Sequence, residues 1–156
     1  MRTSRIKIHH KLMIIELLLL FVGLLSFAQD AKEIVKTADT KFKGEKTTAE
    51  IGDYTTIREY VTINRGTTDK YKTVIGSNCL IMAYVHIAHD CTVGNNCIIA
   101  NTVQVAGHVT IEDWAIIGGA SALHQFVKVG AHVMISGGSL VIKDVPPFTK
   151  AAREPL

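Results

Sequence analysis

Residues 85–119 read VHIAHDCTVGNNCIIANTVQVAGHVTIEDWAIIGG. An aliphatic residue returns at every sixth position: Ile87, Val93, Ile99, Val105, Ile111 and Ile117. A helix repeats every 3.6 residues and cannot use a period of six. Short strands joined by sharp corners can, with one apolar residue of each hexad turned into a shared interior. The chain is therefore expected to be a β-solenoid.

The same step extends outward from this stretch. From Ile51 to Val141 it visits sixteen positions, of which fifteen are aliphatic. Asp69 is the exception, within RGTTDKYKT, which reads as a polar loop interrupting the register. Four residues after each aliphatic comes a small or β-branched residue, and Cys79, Cys91 and Cys97 share that phase. Free cysteine is among the most buried residue types, so all three are read as interior packers. Glycine follows the aliphatic directly at Gly52, Gly76, Gly94, Gly118 and Gly130, which suits corners needing unusual backbone angles. Pro146 and Pro147, in KDVPPF, lack the N–H that a ladder needs and are expected to end it.

This pattern resembles the hexapeptide-repeat proteins. The resemblance implies an all-β fold, a left-handed parallel β-helix of about five coils over residues 45–147, with three hexads per coil. Handedness comes from the resemblance alone, since the general rule for parallel crossovers favours the opposite hand.

The ends read differently. Residues 1–28 hold Arg2, Arg5, Lys7 and Lys11 against Glu16, followed by an apolar run from Leu17 to Phe27 and small residues at Ser26 and Ala28. That is the layout of a secretory signal peptide cleaved after Ala28; a membrane anchor is the alternative, but the run is short for a span. The net charge of +3 resides in this leader, so nothing in the remainder points to a nucleic-acid partner. Residues 29–44, with AKEIVKTAD, read as a short helical or linker segment, and 148–156 as the start of a C-terminal segment. Three cysteines without a CxxC pair suit a reducing compartment, while the leader argues for export.

On an 18-residue ruler the histidines group together. His89, His108 and His124 fall on three successive coils in one column, joined by Asp90 and Gln125, with His86 nearby. None occupies the aliphatic phase. His132 lies away from the column and reads as surface. The hexapeptide-repeat carbonic anhydrases hold zinc through an HxxxxH pair, which is absent here, and His86 and His89 are three apart, which does not put both on one strand face. No metal is expected.

VHIAHDCTVGN, VAGHVTIEDWAIIGG, ALHQFVKVGAHVMISGGS and DVPPF narrow the resemblance. With KFKGEKTTAEIGD and IREYVTINRGT, they are similar to the UDP-N-acetylglucosamine 3-O-acyltransferases that begin lipid A synthesis, from about Asp39 to Leu156. The resemblance implies transfer of a 3-hydroxyacyl group from acyl carrier protein to the sugar 3-hydroxyl of UDP-N-acetylglucosamine, in a cytoplasmic homotrimer with sites between subunits and no cofactor. It implies His89 as general base, Asp90 as the acid orienting it, and the Gly107 N–H as oxyanion donor. His86, His108, His124 and Gln125 match substrate contacts, as do Asp39 and Lys41. Gly137 matches the position that sets acyl length. Neighbouring strand residues face opposite ways, so a His89–Asp90 bond requires a corner conformation.

Family members start their first coil near the initiator methionine and continue into a C-terminal helical domain. The leader and the end at AAREPL depart from that plan, as a truncated or chimeric chain would. Two other readings stand beside the O-acyltransferase: the related N-acyltransferase or another hexapeptide acyltransferase, and an exported, non-catalytic β-solenoid.

Overall fold

The computed structural model describes residues 44–152. The expected leader, the helical segment with Asp39 and Lys41, and the last four residues lie outside these.

The described chain is a parallel β-solenoid, matching the expected left-handed β-helix. Its strands form three sheets of five, six and five. The first face stacks Thr48–Ile51, Lys72–Ile75, Thr92–Val93, Thr110–Ile111 and Lys128–Val129. The second carries Thr56–Ile57, Leu80–Ile81, Ile98–Ile99, Ile116–Ile117, Met134–Ile135 and Lys150–Ala151. The third carries Thr62–Ile63, His86–Ile87, Gln104–Val105, Ala122–Leu123 and Leu140–Val141. Most strands have two residues, the first facing out and the aliphatic second facing in. Ile81, Ile87, Ile99, Val105, Ile117, Val129 and Ile135 are fully buried as a result. Among the described residues, no helix is long and apolar enough to cross a membrane.

Coil length is not uniform. Thr110 pairs with Lys128 and Ile116 with Met134, a spacing of 18. Thr48 pairs with Lys72, Thr56 with Leu80 and Thr62 with His86, a spacing of 24. The polar loop thus inserts one whole hexad. The inward phase survives because six residues restore it, and only the corner at 64–71 changes. The other end is shortened: Met134 pairs with Lys150, a spacing of 16. The ladder therefore passes the Pro146–Pro147 pair, gaining one more strand on the second face instead of ending there. Neither proline has an N–H to give, and the chain bridges around them through Val145, which pairs with Val129.

The corners correct the expectation for glycine. Positive φ falls three residues after the aliphatic, on Tyr54, Tyr84, Asp90, Asn96, Thr102, His108, Trp114, Phe126 and His132 among others. For residues with a Cβ this left-handed conformation costs roughly 1–2 kcal/mol each. The corner N–H groups help to offset it by bonding across coils: His108 donates to the His89 carbonyl at 3.0 Å and Phe126 to the Gly107 carbonyl at 3.1 Å. The glycines serve close approach instead. A Cβ on Gly76 would lie 2.5 Å from the Gly94 carbonyl oxygen, and one on Gly130 would lie 2.5 Å from the Pro147 nitrogen.

Candidate active site

The site occupies the corner between the third and first faces, where residues 88–91, 106–109 and 124–127 follow one another on successive coils. Asp90 has a φ of 60°, the corner conformation that a His89–Asp90 contact requires. That turn brings the two side chains together, and the His89 Nδ1–H donates to Asp90 Oδ2 at 2.8 Å. Asp90 is 0% exposed, whereas the His89 side chain is 44% exposed. One partner is fixed inside and the other reaches solvent.

Asp90 is held from several directions. The Thr67 N–H donates to Oδ1 at 2.9 Å and the Thr67 hydroxyl to Oδ2 at 2.6 Å. The Lys70 N–H reaches Oδ1 at 3.3 Å, and the Lys70 ammonium donates to the Asp90 carbonyl at 3.2 Å. The Asp90 N–H in turn donates to Thr73 Oγ1 at 2.9 Å. Burial pushes the Asp90 carboxyl up, but the donors from Thr67, His89 and Lys70 outweigh it and hold the group at about 2. An ionised Asp90 accepts from Nδ1–H, which leaves the lone pair of a neutral His89 on Nε2.

That nitrogen faces Gly107. A Cβ added there would sit 2.9 Å from His89 Cε1 and 3.0 Å from Nε2, so only glycine leaves the ring in place. His108 stands edge-on to His89, with ring centroids 5.1 Å apart at 88°, and stacks on Phe126 at 4.7 Å. Its Nδ1 lies 3.4 Å from Asp69 Oδ2 and its Nε2 3.7 Å from Asp90 Oδ2.

Beside this cluster a cleft of about 560 Å³ runs down the third face, with a largely apolar wall that includes Ala88, Ala106, Ala122, Leu123 and Leu140. His86, Gln104, Gly107, His124 and Gln125 supply its polar points. His86 Nδ1 meets Thr62 Oγ1 at 2.8 Å, and His124 Nδ1 meets the Gln125 carbonyl at 3.1 Å. The three histidines are thus neighbours around a corner rather than one straight column. His89 and His108 touch, while His124 lines the cleft. Gly137 lies elsewhere, on the corner between the second and third faces, where an added Cβ would be 3.1 Å from the Gly119 oxygen.

One nitrogen each from His89 and His108 and one Asp90 oxygen fall within 4.8 Å of one another, a spacing that could hold a metal ion. As arranged, His89 Nδ1 and the Asp90 oxygen are engaged with each other, and the same carboxylate takes the Thr67 hydroxyl. The donor set suits moving a proton better than coordinating a cation. The cysteines stay out of the chemistry. Cys79, Cys91 and Cys97 are free and buried, and burial pushes the Cys91 thiol above its usual range.

Sequence reasoning passed over Thr67, Asp69, Lys70 and Thr73. The first three belong to the polar loop, and Thr73 looked like one more small interior residue. The signals in the loop were Asp69 at an aliphatic position and an insertion of one hexad, and neither reveals that it folds back over the next corner.

Residues 72–107 match the family model described as bacterial transferase hexapeptide (six repeats). The matched residues lie within the β-solenoid described above. Over 118 residues the chain is 55% identical to the acyl-[acyl-carrier-protein]–UDP-N-acetylglucosamine O-acyltransferase of Thiobacillus denitrificans, covering 75% of this chain and 46% of that protein. The same enzyme of Burkholderia mallei is 53% identical over 115 residues, with 73% and 44% covered. Solved structures of UDP-N-acetylglucosamine acyltransferases superpose closely. That from Bacteroides fragilis gives a TM-score of 0.70 at 52% identity, covering 74% of this chain and 45% of the other. That from Campylobacter jejuni gives 0.67 at 48%, covering 70% and 44%. The chain spans about half the length of the curated relatives it matches.

Proposed function

We propose that this solenoid carries the acyl-transfer site of a UDP-N-acetylglucosamine 3-O-acyltransferase, taking a 3-hydroxyacyl chain from acyl carrier protein at the first step of lipid A synthesis. One observation carries the reading. A buried, ionised Asp90 fixes the proton of His89 on Nδ1, so that the lone pair of this half-exposed ring lies on Nε2 beside Gly107, which lines an apolar cleft.

A sugar hydroxyl is a poor nucleophile at neutral pH, and a base must take its proton as it attacks. His89 Nε2 accepts that proton while the hydroxyl oxygen bonds to the thioester carbonyl carbon. Asp90 stabilises the imidazolium that forms. The carbonyl becomes an oxyanion, for which the Gly107 N–H is the assigned donor. When the C–S bond breaks, His89 returns the proton to the departing sulfur. The products are the sugar ester and the free thiol of the carrier. No cofactor enters this scheme. The apolar cleft suits an acyl chain, and His86, His124 and Gln125 suit the polar groups around it.

Gly137 is set apart from the dyad by one corner of the prism. Its assignment to acyl length therefore needs a second copy to bring that corner across, which fits a homotrimer with sites between subunits. Asp39 and Lys41 keep their assignment as substrate contacts from the resemblance alone. Both substrates are cytoplasmic compounds, so the acyltransferase reading puts the solenoid in the cytoplasm, whatever the leader argues.

The test is acylation of UDP-N-acetylglucosamine by purified full-length chain with 3-hydroxyacyl carrier protein, beside the 3-O-acylated amine acceptor of the N-acyltransferase. Ester formation dependent on His89 supports the proposal. Amide formation only, or no product from either acceptor, overturns it.

A further inference from the structure

We propose that the inserted hexad, residues 65–70, is a positioning device for the His89–Asp90 pair, with Thr67 as its principal residue. This rests on the acyl-transfer reading for its kinetic consequence but not for its structural one.

The observation is one of economy. Most coils close in 18 residues, as His86 to Gln104 shows, but the coil before the site takes 24. A whole extra hexad leaves the interior phase intact, so the insertion does nothing for the core. What it adds is contacts to one carboxylate. Thr67 places its N–H on one oxygen and its hydroxyl on the other, and Lys70 adds its own N–H. At 2.6 Å the hydroxyl bond is in the short range of charge-assisted O–H···O⁻ bonds. A carboxylate anchored only through His89 could turn about its Cα–Cβ bond, since its other neighbour, His108, stands at 3.7 Å. Anchored at both oxygens, it presents Oδ2 to Nδ1 in one orientation. The loop has a second arm as well. Asp69 reaches His108 Nδ1, and His108 braces the His89 ring edge-on. Asp90 and His108, two neighbours of the His89 imidazole, are thus tied to the same inserted segment.

The consequence is a defined tautomer. With Thr67 in place, His89 keeps Nδ1–H and a bare Nε2. Without the hydroxyl, Asp90 is free to turn, and the Nε2–H form, which cannot act as the base, gains population.

The experiment uses full-length chain labelled with ¹⁵N in its histidines. Ring-nitrogen shifts should report a single Nδ1–H tautomer for His89. Thr67→Val keeps the shape and removes the hydroxyl. It should introduce the Nε2–H form and lower kcat roughly tenfold, the scale of one hydrogen bond to a charged group, with KM for the sugar nucleotide little changed. Thr67→Ser should restore both readouts. Deletion of residues 65–70 closes the coil in phase and should show the same tautomer mixture, so the question stays answerable if the valine variant does not fold. His89 signals unmoved in the valine or deletion variant, or a serine variant that fails to restore them, would overturn the proposal. If the tautomer responds as expected while unaltered chain transfers no acyl group, the positioning role stands and the acyl-transfer reading falls.

Discussion

His108 and His132 occupy the same place in the repeat on different edges of the prism. Both sit at positive φ, 63° and 56°, and both stack on an aromatic ring. His132 lies between Trp114 and Phe148, at 6.0 and 5.0 Å, in an exposed ladder of rings. His108 lies against Phe126, but its nitrogens face Asp69 and Asp90 and its edge faces His89. The hexad and its corner thus position a histidine without giving it a task. The neighbours on the adjoining coil do that, and at one edge those neighbours include an inserted loop.

The largest effect should separate the two edges most sharply. His89→Ala is expected to lower kcat by about 10²–10⁴-fold, while His132→Ala leaves it within a factor of two. A rate loss at His132 would break the comparison. Next comes Gly107→Ala. The new Cβ displaces the His89 ring, and misplacement on the ångström scale costs about 10²-fold. A crystal structure of the variant with the ring unmoved and full activity would show that Gly107 is not a spacer.

Asp90→Asn tests the buried half of the pair through stability. The Asp90 carboxyl is held at about 2, well below the ordinary aspartate value of 3.8. Its contribution is present in full above pH 4 and is lost as pH falls through 2. That difference corresponds to about 2 kcal/mol. Denaturant melts between pH 2 and pH 5 should show this dependence in the unaltered chain and lack it in the asparagine variant. The smallest effect belongs to the other edge. Phe148→Ala removes one ring from the ladder and should cost about 1 kcal/mol in the same melts, with no change in kcat.

The legibility of the molecule divides along similar lines. The buried aliphatics from Ile75 to Val141 and the three buried cysteines could be read from the period alone, because burial in a solenoid is a matter of phase. His89, Asp90 and His108 could be placed near one another by the 18-residue ruler, while Gly107 came from the resemblance. Thr67 and Lys70 could not, since the ruler carries no information about a loop that leaves the coil. The glycines were misread because both positive φ and close approach favour glycine, and only the observed dihedrals separate the two. The proline pair was misread because a missing N–H forbids one ladder bond, not the next strand.

The sequence by itself determined which side of the wall each residue occupies. A period of six allows one inward phase, and inserting six more residues does not disturb it. Tertiary structure decided which outward groups meet. The turn at Asp90 points its carboxylate at the preceding residue, and the 24-residue coil brings Thr67 onto that carboxylate from twenty-three positions away. Such contacts depend on how a corner folds against its neighbour, which no periodicity records.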